Sequence, residues 1–523
     1  MSATVARGEK RWVWRWAILV VVLACLPYLL AWLLAPADVQ YTGLLINQFD
    51  GESYYAKMQQ GARGDWLFRL PFTPETQAGA PVYLFYLALG HLAGILGLPI
   101  PLVYHLARAA AALFLLLVSY RFIARFFVRV SIRRVAFLLL AFSAGFGWLL
   151  APLGIILADL WVAEGFLFLS ILTNPHFPLV IALMLLLFMV MLDLGIGEPR
   201  PARLAQGAAL SFALALIQPF PLPIVLAAAG AYLVLRFVVE RHFVWGQALV
   251  VGAMALGAAP MLAYYLYVYG TDPAIAAWSA QNVTSSLPPW NYALGYGLVF
   301  LLALPGMVVA ARRRRPSDLF LLAWAGSAIV LLYVPFALQR RFITGLHVPL
   351  VLLATLGLDR VVWPRLAVRR RGLVLGLLVG VGALSNVFVV LVAVLGVAQG
   401  QAPLVMSAEE AAACAWLGEN TAWTDTVLAP VEMGQFIPAW AGNRVVYGHP
   451  FETIDAETKE AEVEQFYSPA ATPAERQALL ERYGVRYVLW PATAMGVDPA
   501  GSLGLVPAWN QGSLVLYRAG DGP

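Results

Sequence analysis

Long apolar runs separated by short polar segments fill the chain up to about residue 400. A helix that crosses a bilayer needs about 20 apolar residues, and fewer where it is irregular or kinked. We therefore predict a polytopic α-helical membrane protein with about eleven transmembrane helices. The predicted helices cover residues 12–34, 102–122, 135–157, 178–194, 202–217, 222–239, 245–268, 293–311, 319–336, 343–358 and 372–398.

A further apolar run, 82–98, is assigned from the arginine clusters, which favour the cytoplasmic side of a membrane. If the first helix runs outward and 82–98 does not cross, the clusters at 121–134, 312–315 and 360–371 all lie in the cytoplasm. If the run crosses, these clusters lie outside. We therefore predict a cytoplasmic N-terminus and a surface helix at 82–98, within a first external loop that covers 36–101.

Composition agrees with a membrane protein, because 61% of the residues are hydrophobic and only 12% are charged, against roughly 25% in soluble domains. The net charge of +5 comes mostly from the arginine clusters, which orient a membrane protein and do not indicate a nucleic-acid surface. Cys25 and Cys414 have no metal-binding spacing. We expect an integral membrane protein of a prokaryotic plasma membrane.

The chain after residue 401 has a different pattern, in which charged helical segments alternate with short apolar β-type runs. We predict helices at 407–419, 457–466 and 473–483, and strands at 426–429, 444–447, 485–490 and 513–517. This alternation indicates a small α/β domain, 401–523, on the extracytoplasmic side, which follows a transmembrane domain that covers 1–400.

An acidic motif, Asp50-Gly51-Glu52, lies in the first external loop directly before a predicted helix at 53–60. One interpretation is structural, because a carboxylate at a helix start caps the helix or complements its dipole. The other is functional, because a carboxylate at a membrane surface can act as the general base for a bound hydroxyl. Polar and aromatic residues, among them Tyr55, share this segment and suit a carbohydrate surface.

Two further sets of cations could bind substrate. Arg340 and Arg341 are predicted at the outer end of a helical hairpin, where the positive-inside tendency disfavours them. Two adjacent guanidinium groups can bind the phosphate of a lipid, although snorkelling to the headgroups also explains them. Arg108, with His105, lies inside the predicted second span, and for it too either a site or snorkelling is consistent.

The predicted second external loop carries Asp159, Glu164 and His176. With Asp50, the two carboxylates could form a divalent-ion site, and His176 could contact substrate. The alternative is an ordinary turn, because Asn174-Pro175-His176 suits the start of a helix at Pro178.

The layout resembles the GT-C superfamily of integral membrane glycosyltransferases, which includes protein mannosyltransferases, aminoarabinose transferases of lipid A and oligosaccharyltransferases. The resemblance rests on the outward first span, the acidic motif at Asp50, the many further spans and the external C-terminal domain. It implies a polyprenyl-phosphate sugar donor and a first-loop aspartate that deprotonates or orients the acceptor, and Asp50 matches that aspartate. Relatives often have adjacent acidic residues, whereas Gly51 separates them here, and we find no tryptophan-rich C-terminal motif of the oligosaccharyltransferases.

The predicted function is inverting transfer of a sugar to an acceptor hydroxyl of a lipid, glycan or protein, with Asp50 as general base. We expect Asp50 and Arg340 to line one outward-opening cavity. No redox cofactor is required, and a divalent metal is compatible with the site but not required. The alternatives are a lipid or polysaccharide transporter and a non-catalytic envelope assembly protein, although no internal duplication typical of transporters is visible. The predicted substrate-binding residues are Glu52, Tyr55, Arg108, His176, Arg340 and Arg341.

Overall fold

The structure, a computed structural model, describes residues 5–194, 201–491 and 499–520. It divides into two compact units. Unit 1 comprises Met1–Leu29, His105–Tyr264 and Val283–Val392, and unit 2 comprises Leu30–Tyr104, Tyr265–Asn282 and Ala393–Pro523. Unit 2 therefore combines most of the predicted first external loop with the C-terminal region.

Helices account for most of the chain before residue 400. In chain order these are α1 Arg7–Leu34, α2 Gln48–Ala62, α3 Leu84–Leu96, α4 Ile100–Ile123, α5 Val130–Phe142, α6 Gly147–Leu150, α7 Leu167–Thr173, α8 His176–Leu192, α9 Pro201–Ile217, α10 Pro221–Glu240, α11 Trp245–Thr271, α12 Pro273–Gln281, α13 Pro289–Arg313, α14 Pro316–Leu331, α15 His347–Gly357, α16 Val368–Gly382 and α17 Leu384–Ala398. Proline opens several of them, where its missing N–H has no partner to lose and its fixed φ suits the helix.

Each of the eleven predicted spans contains a helix in the structure. In the described residues, eight helical stretches are long and apolar enough to cross a bilayer, and four shorter apolar helices accompany them. The protein is thus a polytopic α-helical membrane protein. The eight stretches are Arg7–Leu34, Ile100–Ile123, Val130–Leu153, Pro221–Glu240, Trp245–Thr271, Pro289–Arg313, Gln339–Arg365 and Val368–Ala398.

Three of the predicted spans are interrupted. The run at 135–157 breaks after Phe142, where the main chain of Gly145 approaches α13 so closely that a Cβ would lie 2.1 Å from the Gly295 carbonyl oxygen. The run at 343–358 is preceded by a 3-10 turn, Gln339–Ile343, and followed by a π turn, Leu358–Val362. The run at 372–398 is divided between α16 and α17.

The C-terminal region is a small α/β arrangement, as predicted. Its helices are α18 Ala408–Asn420, α19 Val431–Gly434, α20 Phe436–Trp440, α21 Ala456–Tyr467, α22 Pro473–Arg482 and α23 Pro499–Leu503. Capping boxes begin α18, from Ser407 to Glu410, and α22, from Thr472 to Glu475.

The described residues contain seven strands, and five of these form one sheet. The strands are β1 Val39–Tyr41, β2 Val405–Ser407, β3 Thr426–Leu428, β4 Arg444–Val445, β5 Val485–Pro491, β6 Val506–Gln511 and β7 Leu514–Arg518. The five-stranded order is β4-β3-β5-β7-β6, in which β3 pairs in parallel with β4 and β5, and β7 pairs antiparallel with β5 and β6. The sequence did not predict β6. A separate antiparallel pair, β1 with β2, joins the beginning of the first loop to the beginning of the C-terminal region.

Helix α3 packs closely on α2 within unit 2. A Cβ on Gly90 would lie 2.1 Å from the Met58 carbonyl oxygen, and one on Gly61 would lie 2.1 Å from that of Leu87. Only glycine fits at such a backbone contact. At 13 residues α3 is shorter than a typical span, and Ile95 and Leu96 expose apolar side chains at its end. Its assignment as a surface helix stays a prediction.

Candidate functional site

Asp50 lies in the first turn of α2, which begins at Gln48, earlier than predicted. The helix start is set by Asn47, which has left-handed backbone angles and makes no side-chain cap. Asp50 is half-buried, and among the described residues its carboxylate accepts no hydrogen bond and forms no ion pair. The carboxylate therefore complements the helix dipole and does not cap a backbone N–H group, so it can contact a ligand.

Glu52, only two residues further along α2, has an opposite environment. Its side chain is completely buried, and Oε2 accepts a hydrogen bond from Trp440 Nε1 at 3.0 Å. Burial raises the pKa of Glu52 well above its usual value, and the Trp440 hydrogen bond offsets this only in part. Burial therefore favours the protonated form of Glu52, which makes it a poorer candidate for a general base than Asp50.

Tyr55 is also buried, and its ring packs edge-on against Tyr104 and Trp440, with centroid distances of 5.2 and 6.1 Å. These contacts belong to the core that supports α2. The structure therefore surrounds Tyr55 with aromatic side chains, and its predicted contact with substrate stays a prediction.

A buried ion pair lies on another face of α2. Lys57 is completely buried, and its Nζ lies 2.7 Å from Glu452 Oε1. The same oxygen accepts a hydrogen bond from Ser53 Oγ at 2.5 Å, and Lys57 also donates to Ser53 Oγ. Sequence analysis missed this pair, because the two charged residues are 395 positions apart.

Arg340 and Arg341 lie in unit 1, in the 3-10 turn Gln339–Ile343. The Arg340 guanidinium carbon is 4.5 Å from the ring centroid of Trp161, and that of Arg341 is 5.5 Å from the ring of Phe220. Each guanidinium group thus packs against an aromatic ring, an arrangement that is favourable for a cation. In the sequence, Trp161 lies between the candidate residues Asp159 and Glu164, but no neighbouring residue indicated that it contacts Arg340.

Asp159 and Glu164 are both buried in unit 1. Asp159 Oδ2 accepts hydrogen bonds from the backbone N–H groups of Gly145 and Gly147, at 2.9 and 3.1 Å. Among the residues that the structure describes, no group of three or more histidine, cysteine, aspartate or glutamate side chains could hold a metal ion. The backbone contacts give Asp159 a role in holding the bend between α5 and α6, and its metal role stays a prediction.

Arg108 and His176 are buried as well. The Arg108 guanidinium donates to the carbonyl oxygens of Ala24 and Ile171, at 3.3 and 3.0 Å, and lies 4.3 Å from the ring of Tyr28. These contacts connect α4 to α1 and α7 within unit 1, which favours a structural role over headgroup snorkelling. His176 is the first residue of α8, and Asn174 Oδ1 accepts from Phe177 N at 3.2 Å, as the turn interpretation expects.

A polar cavity of about 560 Å³ lies in unit 2 and does not include Asp50. It is lined by Glu75, Arg444, Asp455, Lys459 and Arg482, among others. Lys459 is buried and forms an ion pair with Glu75. The cavity is therefore a separate feature from α2, the helix that carries Asp50 and is called the acid-bearing helix below.

The fold is shared with solved membrane glycosyltransferases, although no protein-family model and no curated protein sequence matches the chain. ArnT from Cupriavidus metallidurans, bound to undecaprenyl phosphate, matches with a TM-score of 0.58 at 16% identity over 97% of this chain and 99% of that chain. The oligosaccharyltransferase of Archaeoglobus fulgidus, tethered with an acceptor peptide, matches with a TM-score of 0.53 at 16% identity over 91% and 69%. The arabinofuranosyltransferase AftD from Mycobacteria matches with a TM-score of 0.50 at 16% identity over 97% and 40%. The expected resemblance to GT-C enzymes is confirmed for the fold.

Proposed function

We propose that the protein is a membrane glycosyltransferase that moves a sugar from a polyprenyl-phosphate donor to an acceptor hydroxyl. The proposal is supported by a fold shared with three transferases, one of them solved with undecaprenyl phosphate bound. The observation that carries it is the state of Asp50, a half-buried carboxylate on a tightly held helix that no side chain of the described residues neutralises. A general base must lie within reach of the hydroxyl whose proton it accepts, and a half-buried carboxylate meets that condition.

In the proposed reaction Asp50 accepts the proton of the acceptor hydroxyl while that oxygen forms a bond to the anomeric carbon. The bond between the anomeric carbon and the phosphate oxygen breaks, and the lipid phosphate leaves with the electron pair from the opposite face. The anomeric configuration is therefore inverted. Arg340 and Arg341 stabilise the charge of the leaving phosphate, and such electrostatic stabilisation removes the need for a metal in this proposal.

The proposal extends to location and partners. The N-terminus is cytoplasmic, and Asp50, the arginine pair and the C-terminal region are extracytoplasmic. The donor is a lipid of the membrane, and the acceptor is a lipid, glycan or protein hydroxyl. Protein N-glycosylation is disfavoured, because the C-terminal region has no tryptophan-rich motif of the kind known in oligosaccharyltransferases.

The test is release of labelled sugar from synthetic polyprenyl-phosphate sugars by the purified protein. We expect Asp50→Asn to lower the release by about 10²- to 10⁴-fold, the usual contribution of a general base. The matched control is Asp65→Asn, the same change at a partly exposed residue of the same loop that forms an ion pair with Arg63. If Asp50→Asn and the native protein release sugar at equal rates, the transferase proposal fails. A transporter or a non-catalytic assembly protein is then the favoured alternative.

A further inference from the structure

The loop 448–453 of the C-terminal region contacts the acid-bearing helix through a charged pair. Glu452 Oε1 accepts hydrogen bonds from Ser53 Oγ and Lys57 Nζ, at 2.5 and 2.7 Å. Burial alone would raise the pKa of Glu452, but the Lys57 charge and these hydrogen bonds outweigh it, so the pKa is lowered overall. The carboxylate therefore remains ionised and bound to α2.

Lys57 is fixed in turn by three aromatic rings. Its Nζ lies 4.5 Å from the ring centroid of Tyr83, 5.2 Å from that of Phe68 and 5.6 Å from that of Tyr54. A long side chain held on several faces loses the rotamer freedom that usually weakens an ion pair. The pair thus fixes one side of α2 in rotation and in translation.

His449 contacts Phe49, the residue before Asp50. Its Nδ1 accepts from the backbone N–H groups of Phe451 and Glu452, at 3.0 and 3.1 Å, so the proton of the neutral ring is on Nε2. Burial lowers the pKa of His449, although the Glu452 and Asp50 carboxylates act in the opposite direction. The ring lies edge-on to Phe49 at 5.9 Å, and the Nε2–H faces the Phe49 main chain at a geometry looser than a full hydrogen bond.

The residues of α2 that make these contacts lie on both sides of Asp50 in the sequence. Phe49 is contacted by His449, Glu52 is bonded to Trp440, and Ser53 is bonded to Glu452. In the part of the chain that the structure describes, the Asp50 carboxylate accepts no hydrogen bond. We propose that His449 and Glu452 are positioning residues that set the orientation of Asp50 for proton transfer, an inference that rests on the proposed transferase function.

The positioning role predicts a specific kinetic pattern. A misplacement of a catalytic group by about 1 Å can cost about 100-fold in rate, whereas binding of a remote lipid is not affected by it. Loss of the His449 contact should therefore lower kcat and leave the KM for the donor unchanged. A role limited to folding would lower the yield or Tm, and the kcat of the folded fraction would stay at the native value.

The test compares His449→Leu with His449→Gln in purified, monodisperse protein, with kcat, donor KM and Tm measured for each. Glutamine keeps an N–H near the position of Nε2, and leucine keeps only the volume. We expect His449→Leu to lower kcat about 10- to 100-fold at unchanged donor KM, and His449→Gln to recover most of the loss. The control is Arg482→Gln, which breaks only an exposed ion pair with Glu462 in the same region.

Ser53→Ala provides a second comparison that does not depend on His449→Leu folding, because it removes only the Ser53 hydroxyl, which donates to Glu452 and accepts from Lys57. A fall of a few-fold in kcat at unchanged donor KM supports the inference, and an unchanged kcat overturns it. Equal kcat values for His449→Leu, His449→Gln and the native protein also overturn it. These results are read beside Asp50→Asn: if that variant transfers sugar normally the proposed function itself fails, whereas an inactive Asp50→Asn with an unaffected His449→Leu refutes the positioning role alone.

Discussion

The acid-bearing helix and the arginine-bearing turn are the two regions proposed to act on substrate, and they are built in different ways. Helix α2 is held through its side chains, by the Lys57–Glu452 pair and the Trp440 hydrogen bond. The turn Gln339–Ile343 is anchored through its main chain, where Arg340 N donates to Thr284 O at 3.1 Å, and its two guanidinium groups lie on aromatic rings. The difference suits the proposed roles, because proton transfer needs a fixed carboxylate, whereas phosphate binding relies on the positive charge of the guanidinium groups.

The largest effect on stability is expected at the buried pair. Lys57→Met leaves the Glu452 carboxylate buried without its cation, which should lower the free energy of unfolding by about 3 to 5 kcal/mol. Thermal unfolding in detergent measures it. The control is Arg482→Met, where an exposed pair with Glu462 contributes only about 0 to 1 kcal/mol. Equal Tm values for Lys57→Met and the native protein would contradict the role of the Lys57–Glu452 pair in holding α2.

The arginine turn should affect chemistry more than stability. Replacing Arg340 and Arg341 together by glutamine is expected to lower the rate of sugar transfer about 10²- to 10³-fold, because the leaving phosphate loses its charge stabilisation. Steady-state transfer assays measure the change. The control is the double replacement of Arg369 and Arg370 by glutamine, an adjacent and exposed pair. A similar loss in both double variants would indicate a general effect of charge and would argue against a phosphate site.

The raised pKa of Glu52 predicts a dependence of stability on pH. Because burial raises its pKa in the folded protein, the stabilisation is complete below the unfolded value of about 4.3 and is lost as pH rises towards the folded value. The loss reaches about 1.4 kcal/mol for each pH unit in that window. Glu52→Gln removes the titrating group, so its Tm relative to the native protein should increase with pH. A Tm difference that does not vary with pH would show that Glu52 is ionised in the fold.

The smallest effect is expected for Trp440→Phe, which removes the indole donor to Glu52 and keeps an aromatic ring. We expect a loss of about 0.5 to 1.5 kcal/mol in stability. Chemical denaturation gives the value, and Trp416→Phe, a partly buried residue of α18, provides the comparison. A gain in stability would indicate that the bond between Trp440 and Glu52 strains α2.

The helices were predictable because an apolar run of about 20 residues has few alternatives to a helix in a membrane. The earlier start of α2 was not, because Asn47 begins it with left-handed angles and without a side-chain cap. Strand β6 contains a proline and lies at the edge of its sheet, so its pattern was weak. Edge strands of this kind are set by their neighbour, in this case β7.

Asp50 and the arginine pair were predictable as charges in unusual places, but their surroundings were not. Trp161, Trp440 and Glu452 reach the candidate residues over long sequence separations, and no local pattern encodes such contacts. The sequence predicted Asp50 as the base and Glu52 as a substrate contact, but it gave no sign that Glu52 is completely buried. The division of roles therefore depends on packing, which only the fold supplies.

The most direct test is the affinity of the purified protein for a polyprenyl phosphate, measured for the native chain, for Asp50→Asn and for the double variant of Arg340 and Arg341. We predict that Asp50→Asn binds the lipid with an affinity close to the native value although it transfers sugar about 10²- to 10⁴-fold more slowly. The arginine double variant should bind at least about tenfold more weakly, a difference of about 1.4 kcal/mol. Native affinity in the arginine variant, together with weakened binding in Asp50→Asn, would contradict the assignment of the base and the phosphate site to these two regions.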